Sequence, residues 1–178
     1  MSTIVAQTIT TQRLDLLPLE VEHAEEMAAV LSDPALHTFT GGAPDTPEAL
    51  RARYQRMTAG SPDPAVSWLN WVIRLRDDAC LTGTVQATIS PAGRGTGATE
   101  AEIAWVVGTP WQGRRIAGEA ARGLVDWLSR QAITTVVAHI HPDHRASAAV
   151  ATAAGLSPTD QWQEGEIRWQ RNLTPTPS

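Results

Sequence analysis

The chain contains no lysine: all 14 of its basic residues are arginine. That absence excludes Schiff-base chemistry, and with it pyridoxal-phosphate enzymes and lysine aldolases. It also removes the phosphate loop that depends on a lysine and the Ser-x-x-Lys hydrolases. Cysteine is nearly absent. Cys80 alone permits neither an intramolecular disulfide nor a multi-cysteine metal site. No apolar run approaches the ~18 residues that mark a transmembrane helix. The start, Met1-Ser2-Thr3-Ile4-Val5-Ala6-Gln7, lacks the basic residues and the apolar stretch of a signal peptide. There is no basic excess either: 14 basic and 19 acidic residues leave a net charge of −5, which argues against a nucleic-acid or membrane-surface binder. The expectation is a soluble, cytoplasmic protein whose 178 residues suffice for one core without staples.

Hydropathy patterning organises the rest. Leu14-Asp15-Leu16-Leu17-Pro18-Leu19 alternates weakly and predicts a first strand. Val21 to Leu31 places Ala24, Met27, Ala28 and Leu31 on one helical face, and Asp33-Pro34 stops it. Thr46-Pro47-Glu48 is a helix start with its N-cap, its proline and its first-turn acid; Gly60 to Pro64 ends that helix. Trp68 to Leu75, Leu81 to Ile89 and Glu100 to Val107 alternate, which predicts an antiparallel meander with Ile103, Trp105 and Val107 inward. Gly93-Arg94-Gly95-Thr96-Gly97 leads into a strand, not a helix, so it reads as a hairpin turn and not a dinucleotide loop. A helix from Arg114 to Arg130, a strand from Thr135 to Ile140, a helix from Ser147 to Ala154 closed by Gly155, and a strand from Glu166 to Asn172 complete the order. The seven tryptophans are expected mostly in the core. This order predicts an α+β fold, with one right-handed parallel crossover between Glu100 and Ile140.

The stretch Val106-Val107-Gly108-Thr109-Pro110-Trp111-Gln112-Gly113-Arg114-Arg115 joins a strand to a helix. The first N–H groups of a helix lack internal partners and carry the positive end of its dipole. Gly113 permits close backbone approach, so the turn suits a pyrophosphate. Arginine at a helix N-terminus is otherwise unfavourable by ~0.3–1 kcal/mol, and Arg114-Arg115 in succession suggests an anion between them and the helix. His139, His141 and His144 form a His-x-His-x-x-His cluster, but Pro142 breaks its geometry and no carboxylate obviously completes a ligand set, so no metal is expected. Cys80 reads as structural. No Gly-x-Ser-x-Gly elbow is present.

Gln112-Gly113-Arg114-Arg115-Ile116-Ala117 resembles the Gln/Arg-x-x-Gly-x-Gly/Ala acyl-coenzyme A signature of the GNAT N-acetyltransferase superfamily. Glu102-Ile103-Ala104-Trp105-Val106-Val107 resembles the strand that precedes the signature. Ala117-Gly118-Glu119-Ala120 matches the helix start after it. Pro142 to Ser147 resembles the later Pro-x-Asn-x-x-Ser element, and Gln12-Arg13-Leu14-Asp15-Leu16 the opening of the ribosomal-protein N-terminal acetyltransferase branch. Two positions depart: the fourth signature position, usually Gly, is Arg115, which either crowds a pyrophosphate or binds it, and His144 replaces the later Asn.

The resemblance implies a single GNAT-like domain over 12–172, between an N-terminal segment, 1–11, and a disordered tail, 173–178. It implies a mixed twisted sheet, an antiparallel meander followed by one splayed parallel pair, with helices on both faces and coenzyme A entering the splay. It further implies acyl transfer, most simply acetyl, from acyl-coenzyme A to a primary amine, either a protein N-terminus or a small molecule, on a monomer or homodimer. Cofactor contacts fall on Val106, Val107, Gln112, Gly113, Arg114, Arg115, Ile116, Ala117, Gly118, His144 and Ser147. Glu102 is the expected proton acceptor, with Glu164 and Glu166 in reserve. The Val106 N–H is the expected oxyanion donor, Ser147 the stabiliser of the departing sulfur, and Trp105 and Glu166 the acceptor-pocket lining. The competing expectation is a catalytically silent acyl-coenzyme A sensor or partner-binding module on the same fold. An aminoacyl-tRNA donor is disfavoured by the net negative charge.

Overall fold

The computed structural model describes residues 4–39, 41–92 and 98–173. One eight-stranded sheet runs through the molecule in the order β1-β2-β3-β4-β5-β6-β8-β7. The first strands are β1 (Ile9–Thr10), β2 (Leu14–Pro18), β3 (Ser67–Leu75), β4 (Cys80–Pro91) and β5 (Thr99–Val107); then come β6 (Thr135–Ile140), β7 (Ser157–Gln163) and β8 (Glu166–Asn172). The helices are α1 (Ala24–Val30), α2 (Pro47–Ala59), α3 (Ile116–Ser129) and α4 (Arg145–Ala153).

Two cores lie on the two faces of the sheet. Leu14, Leu69, Trp71, Ile73, Val85, Ile103 and Val107 pack against the apolar stripe of α3, which buries Ile116, Ala120, Leu124 and Leu128. Each leucine, isoleucine or valine among them contributes ~1.5–3 kcal/mol by leaving water. Val72 and Leu81 face the other way and pack under Met27, Leu50 and Tyr54 of α1 and α2. Local signals fix the helix ends. The Thr46 hydroxyl accepts the Ala49 N–H at 3.1 Å, with Pro47 as the first residue of α2. Gly155, at φ +87°, closes α4; its N–H reaches the Thr152 carbonyl and the next N–H, of Leu156, reaches Ala151.

Strands β2 to β5 are antiparallel neighbours in sequence order, as the alternation predicts. Strand β6 is parallel to β5, but only Glu100–Thr135, Ala101–Val136 and Glu102–Val137 are paired. Beyond them β5 continues to Val107 while β6 stays paired with β8 as far as Ile140–Ile167. The two parallel strands therefore part after Glu102 and Val137.

Several boundaries differ from the expectations. β1 and β7 are additional strands. β7, Ser-Pro-Thr-Asp-Gln-Trp-Gln, lacks apolar alternation because it is an edge strand with mostly exposed side chains, and Pro158 is tolerated there. α3 begins at Ile116 and not at Arg114, because Arg115 adopts a left-handed conformation, φ +62°. α4 begins at Arg145, so Ser147 lies inside its first turn. Of the tryptophans, only Trp71 and Trp127 are buried, while Trp68 and Trp162 are exposed. The hairpin expected at Gly93–Gly97 lies outside the described residues. No helix among the described residues is long and apolar enough to cross a membrane.

Candidate active site

The parting of β5 and β6 organises the site. Glu102 is the last residue of β5 paired with β6, and its carboxylate Oε1 lies 2.6 Å from Nδ1 of His139 on β6. Alternation along both strands puts these side chains on the face away from α3. Arg168 of β8, registered opposite His139, donates from Nη2 to Glu100 Oε1 at 2.7 Å. A carboxylate–imidazole pair and a carboxylate–guanidinium pair thus stand side by side.

The backbone polarity of β5 follows from its two ends. The Ala92 N–H donates to the Ala98 carbonyl at 2.9 Å and the Gly108 N–H to the Thr82 carbonyl at 2.8 Å, with an unbroken register between them. The even-numbered residues of β5 therefore exchange hydrogen bonds with β4. Val106, opposite Thr84, is one of them, which corrects the expectation that its N–H is free. The groups that face the opening beyond the last pair are those of Trp105 and Val107. Gln112 Nε2 donates to the Val107 carbonyl at 3.0 Å, so the Gln112 side chain braces the strand and leaves the Val107 N–H facing the opening. The same alternation places Trp105 as predicted: its ring packs against the α3-side core, on the opposite face from Glu102. Glu166 does share the Glu102 face, two residues before Arg168.

The end of β5 is held tightly. A Cβ on Gly83 would fall 2.1 Å from the Val106 carbonyl oxygen, and one on Gly108 would fall 2.6 Å from that of Val30. The Thr109 hydroxyl donates to Asp33 at 2.7 Å. The Ala35 N–H and this hydroxyl hold the Asp33 carboxyl below its ordinary range.

The turn that follows is open. Gln112, Gly113, Arg114 and Arg115 are exposed; Gly113 has φ +80° with nothing within 4 Å of a Cβ there. The N–H groups of Gly113 through Gly118 donate to no group among the described residues. A row of unpartnered amides at a helix start is an anion cradle. Ile116 contributes only its backbone, since its side chain is buried. The Arg114 carbonyl accepts from Arg13 Nη2 at 3.0 Å and its guanidinium lies 3.8 Å from Asp78. Arg13 and Thr11 bind Glu119 in the first turn of α3.

At the far side of the opening, His144 Nε2 lies 3.3 Å from the Ser147 hydroxyl. Phe39 stacks on His144 with ring centroids 4.4 Å apart and tilts against His141 at 5.1 Å. Burial, helped by the nearby His141, pushes the His144 imidazole below its ordinary value. A cavity of about 190 Å³ lies across β3 and β4 against α2, lined by Arg53, Met57, Trp68, Asn70, Gln86 and Thr88 among others. Thr88 is registered opposite Glu102, so this cavity adjoins the carboxylate. Among the described residues no three side chains are grouped to hold a metal ion. Burial, then Asp78 and Glu26, pushes the Cys80 thiol up, away from the thiolate a nucleophile needs.

Sequence reasoning missed the Glu102–His139 bond, having assigned His139 only to a histidine cluster. The available signal was alternation: Glu102 and His139 occupy outward positions on two strands predicted parallel. Phe39, in a segment without periodicity, offered none.

Residues 13–157 match the model of the acetyltransferase (GNAT) domain. No curated protein matches the chain by sequence. Solved structures match it over most of their length. A GNAT-family acetyltransferase from Bacillus anthracis is 16% identical, with 94% of this chain and 99% of that one covered and a TM-score of 0.74. The ribosomal L7/L12 alpha-N-protein acetyltransferase RimL, in complex with coenzyme A, is 17% identical over 94% and 98%, with a TM-score of 0.75. The microcin C7 self-immunity acetyltransferase MccE, in complex with acetyl-CoA and AMP, is 16% identical over 92% and 94%, with a TM-score of 0.73.

Proposed function

The chain belongs to the GNAT acetyltransferase family, and from that premise we propose that it transfers an acetyl group from acetyl-coenzyme A to a primary amine, a peptide N-terminus or a small molecule. The observation that carries this reading is the opening between β5 and β6, with the Glu102–His139 pair at its base and the free amides of Gly113 to Gly118 at its end.

Acetyl-coenzyme A supplies the acyl group as a thioester. The amides from Gly113 to Gly118 bind its pyrophosphate, and the Arg114 and Arg115 guanidinium groups add charge-assisted contacts. The Val107 N–H, facing the opening, donates to the carbonyl oxygen as negative charge develops there. The Ser147 hydroxyl, held by His144, serves the departing sulfur. The amine arrives from the face of Glu102, where the cavity along Trp68, Asn70 and Gln86 accommodates the rest of the acceptor. An N-terminal amine, with a pKa near ~8, is about a tenth neutral at pH 7, so a base beside the opening increases the reactive fraction.

Thiol release from acetyl-coenzyme A, measured over a serine-terminated peptide, an alanine-terminated peptide and spermidine, tests the reading. Turnover with at least one amine is expected. Tight coenzyme A binding without turnover on any amine would instead favour a silent acyl-coenzyme A sensor.

A further inference from the structure

We propose that His139 is the proton acceptor of the transfer reaction and Glu102 the carboxylate that orients it; the inference rests on the acyl-transfer reading above. The hydrogen bond defines the tautomer. Oε1 of an ionised Glu102 can only accept, so at 2.6 Å Nδ1 of His139 carries the proton. That leaves the lone pair on Nε2. Nε2 has no hydrogen-bond partner among the described residues, yet it is not sealed off: the side-chain polar atom that is both buried and unpartnered among them is the Tyr54 hydroxyl of α2, not this nitrogen. The imidazole therefore presents a basic atom that solvent or substrate can reach.

Position favours His139 over Glu102. Glu102 sits at the last registered pair, while His139 lies two residues beyond Val137, on the part of β6 that has separated from β5. The histidine is the member of the pair that borders the opening. Its side chain is 11% exposed against 47% for Glu102, so the ring is held more closely than the carboxylate. An imidazole, with an ordinary pKa near ~6.5, also matches a proton from an amine near ~8 better than a carboxylate near ~4.3.

The charged groups around the ring fit this role. Arg168 stands opposite His139 on β8, and its guanidinium is bound by Glu100 at 2.7 Å. Glu166 of β8 shares the Glu102 face, and His141 follows directly after the end of β6. Glu102 supplies the negative charge that receives the imidazolium once it forms, as the carboxylate of a carboxylate–histidine pair does in acyl-transfer hydrolases. The step balances. The ammonium gives one proton to Nε2 and becomes an amine; its nitrogen bonds to the acyl carbon, the C–S bond breaks, and the second nitrogen proton passes to the thiolate. His139 then releases its proton to water.

The test compares His139→Asn, which keeps a donor for Glu102 but has no base, with Glu102→Gln. His139→Asn should lower kcat/KM by ~10²–10⁴-fold while coenzyme A binding, read by calorimetry, stays unchanged. Added imidazole should restore part of the rate, and the acid limb of the pH–rate profile should disappear. Glu102→Gln should retain that limb and lose less. An active wild type whose His139→Asn variant keeps its rate, with Glu102→Gln inactive, overturns the assignment and makes Glu102 the base. Failure of the acyl-transfer reading is a different result: a wild type that turns over no amine. Nitrogen-15 chemical shifts of the His139 ring give a readout independent of acceptor. A proton on Nδ1 is expected; a proton resident on Nε2 in the neutral ring overturns the proposal.

Discussion

Arg13 binds Glu119 twice: its backbone N–H donates to Oε2 at 2.8 Å and its Nε to Oε1 at 2.7 Å. This ties the start of β2 to the first turn of α3, next to the amides proposed to cradle pyrophosphate. Burial pushes the Glu119 carboxyl up, but the bonds from Thr11, the Arg13 N–H and the Arg13 guanidinium together outweigh it and leave the pKa below its ordinary value.

Glu119→Gln should therefore cost about 2 kcal/mol at pH 7, the scale of lost charge-assisted hydrogen bonds. The sign of the pH dependence follows. A carboxyl whose folded pKa is depressed contributes fully above its unfolded value, ~4.3, and that contribution is lost as pH falls through the folded pKa. Urea midpoints from pH 7 to pH 3 should fall for the wild type across that acid window and fall less for the variant. Parallel curves would assign the acid sensitivity to other carboxylates.

Arg115 supplies the second prediction. A left-handed conformation costs a non-glycine residue ~1–2 kcal/mol, and glycine returns ~0.5–1 kcal/mol of that as chain entropy. Arg115→Gly should raise stability by ~0.5–1 kcal/mol, and Arg115→Val should lower it. Both changes delete the guanidinium, so both should weaken coenzyme A binding by about tenfold if that group meets a phosphate. Thermal unfolding and calorimetry separate the two effects. Unchanged affinity in both variants would mean that the backbone amides alone hold the anion.

The turn also explains what was legible in the sequence. Strands β3 to β5 have one face on the α3 core, so their apolar residues alternate and their ladder can be read directly. The parallel β5–β6 pairing followed from the intervening helix. Arg115 could be located but its conformation could not: nothing in Gly-Arg-Arg-Ile distinguishes a helical first residue from a left-handed cap, because that depends on how α3 docks on the sheet. Val106 failed for a related reason, while the inward side of Trp105 was legible from the alternation. Which amide faces β4 is a matter of ladder parity, settled by partners on another strand. β7 was invisible because an edge strand without a buried face needs no apolar period.

Gly83 and Gly118 make a contrasting pair. A methyl group on Gly83 would lie 2.1 Å from the Val106 carbonyl oxygen, whereas one on Gly118 would meet Ala153 at 3.5 Å, an ordinary contact. Backbone cannot yield as a side-chain tip does. Gly83→Ala should cost ~1–3 kcal/mol through overpacking and, by displacing Val106 and Val107, raise KM for acetyl-coenzyme A. Gly118→Ala should stabilise α3 by ~0.5–1 kcal/mol. Denaturant unfolding of both variants checks the difference; equal effects would mean that β4 and β5 separate locally without penalty.

Phe39 and His144 define the last prediction. The Phe39 ring lies 4.4 Å from that of His144, and burial, then His141, lowers the His144 pKa. The unfolded chain therefore takes up this proton more readily than the folded one. The contribution of a neutral His144 is complete above the unfolded value, ~6.5, and declines as pH falls through the folded pKa. Phe39→Ala removes the cover, so the His144 pKa should move back toward its ordinary value, and the loss of stability between pH 7.5 and pH 5.5 should become shallower. At pH 7.5 the variant should be less stable by ~0.5–1.5 kcal/mol, the scale of one aromatic stacking contact. Ring-proton titration of His144 and urea midpoints at the two pH values test both parts. An unshifted titration in Phe39→Ala would mean that the neighbouring His141, not the phenyl ring, sets the charge state at the start of α4.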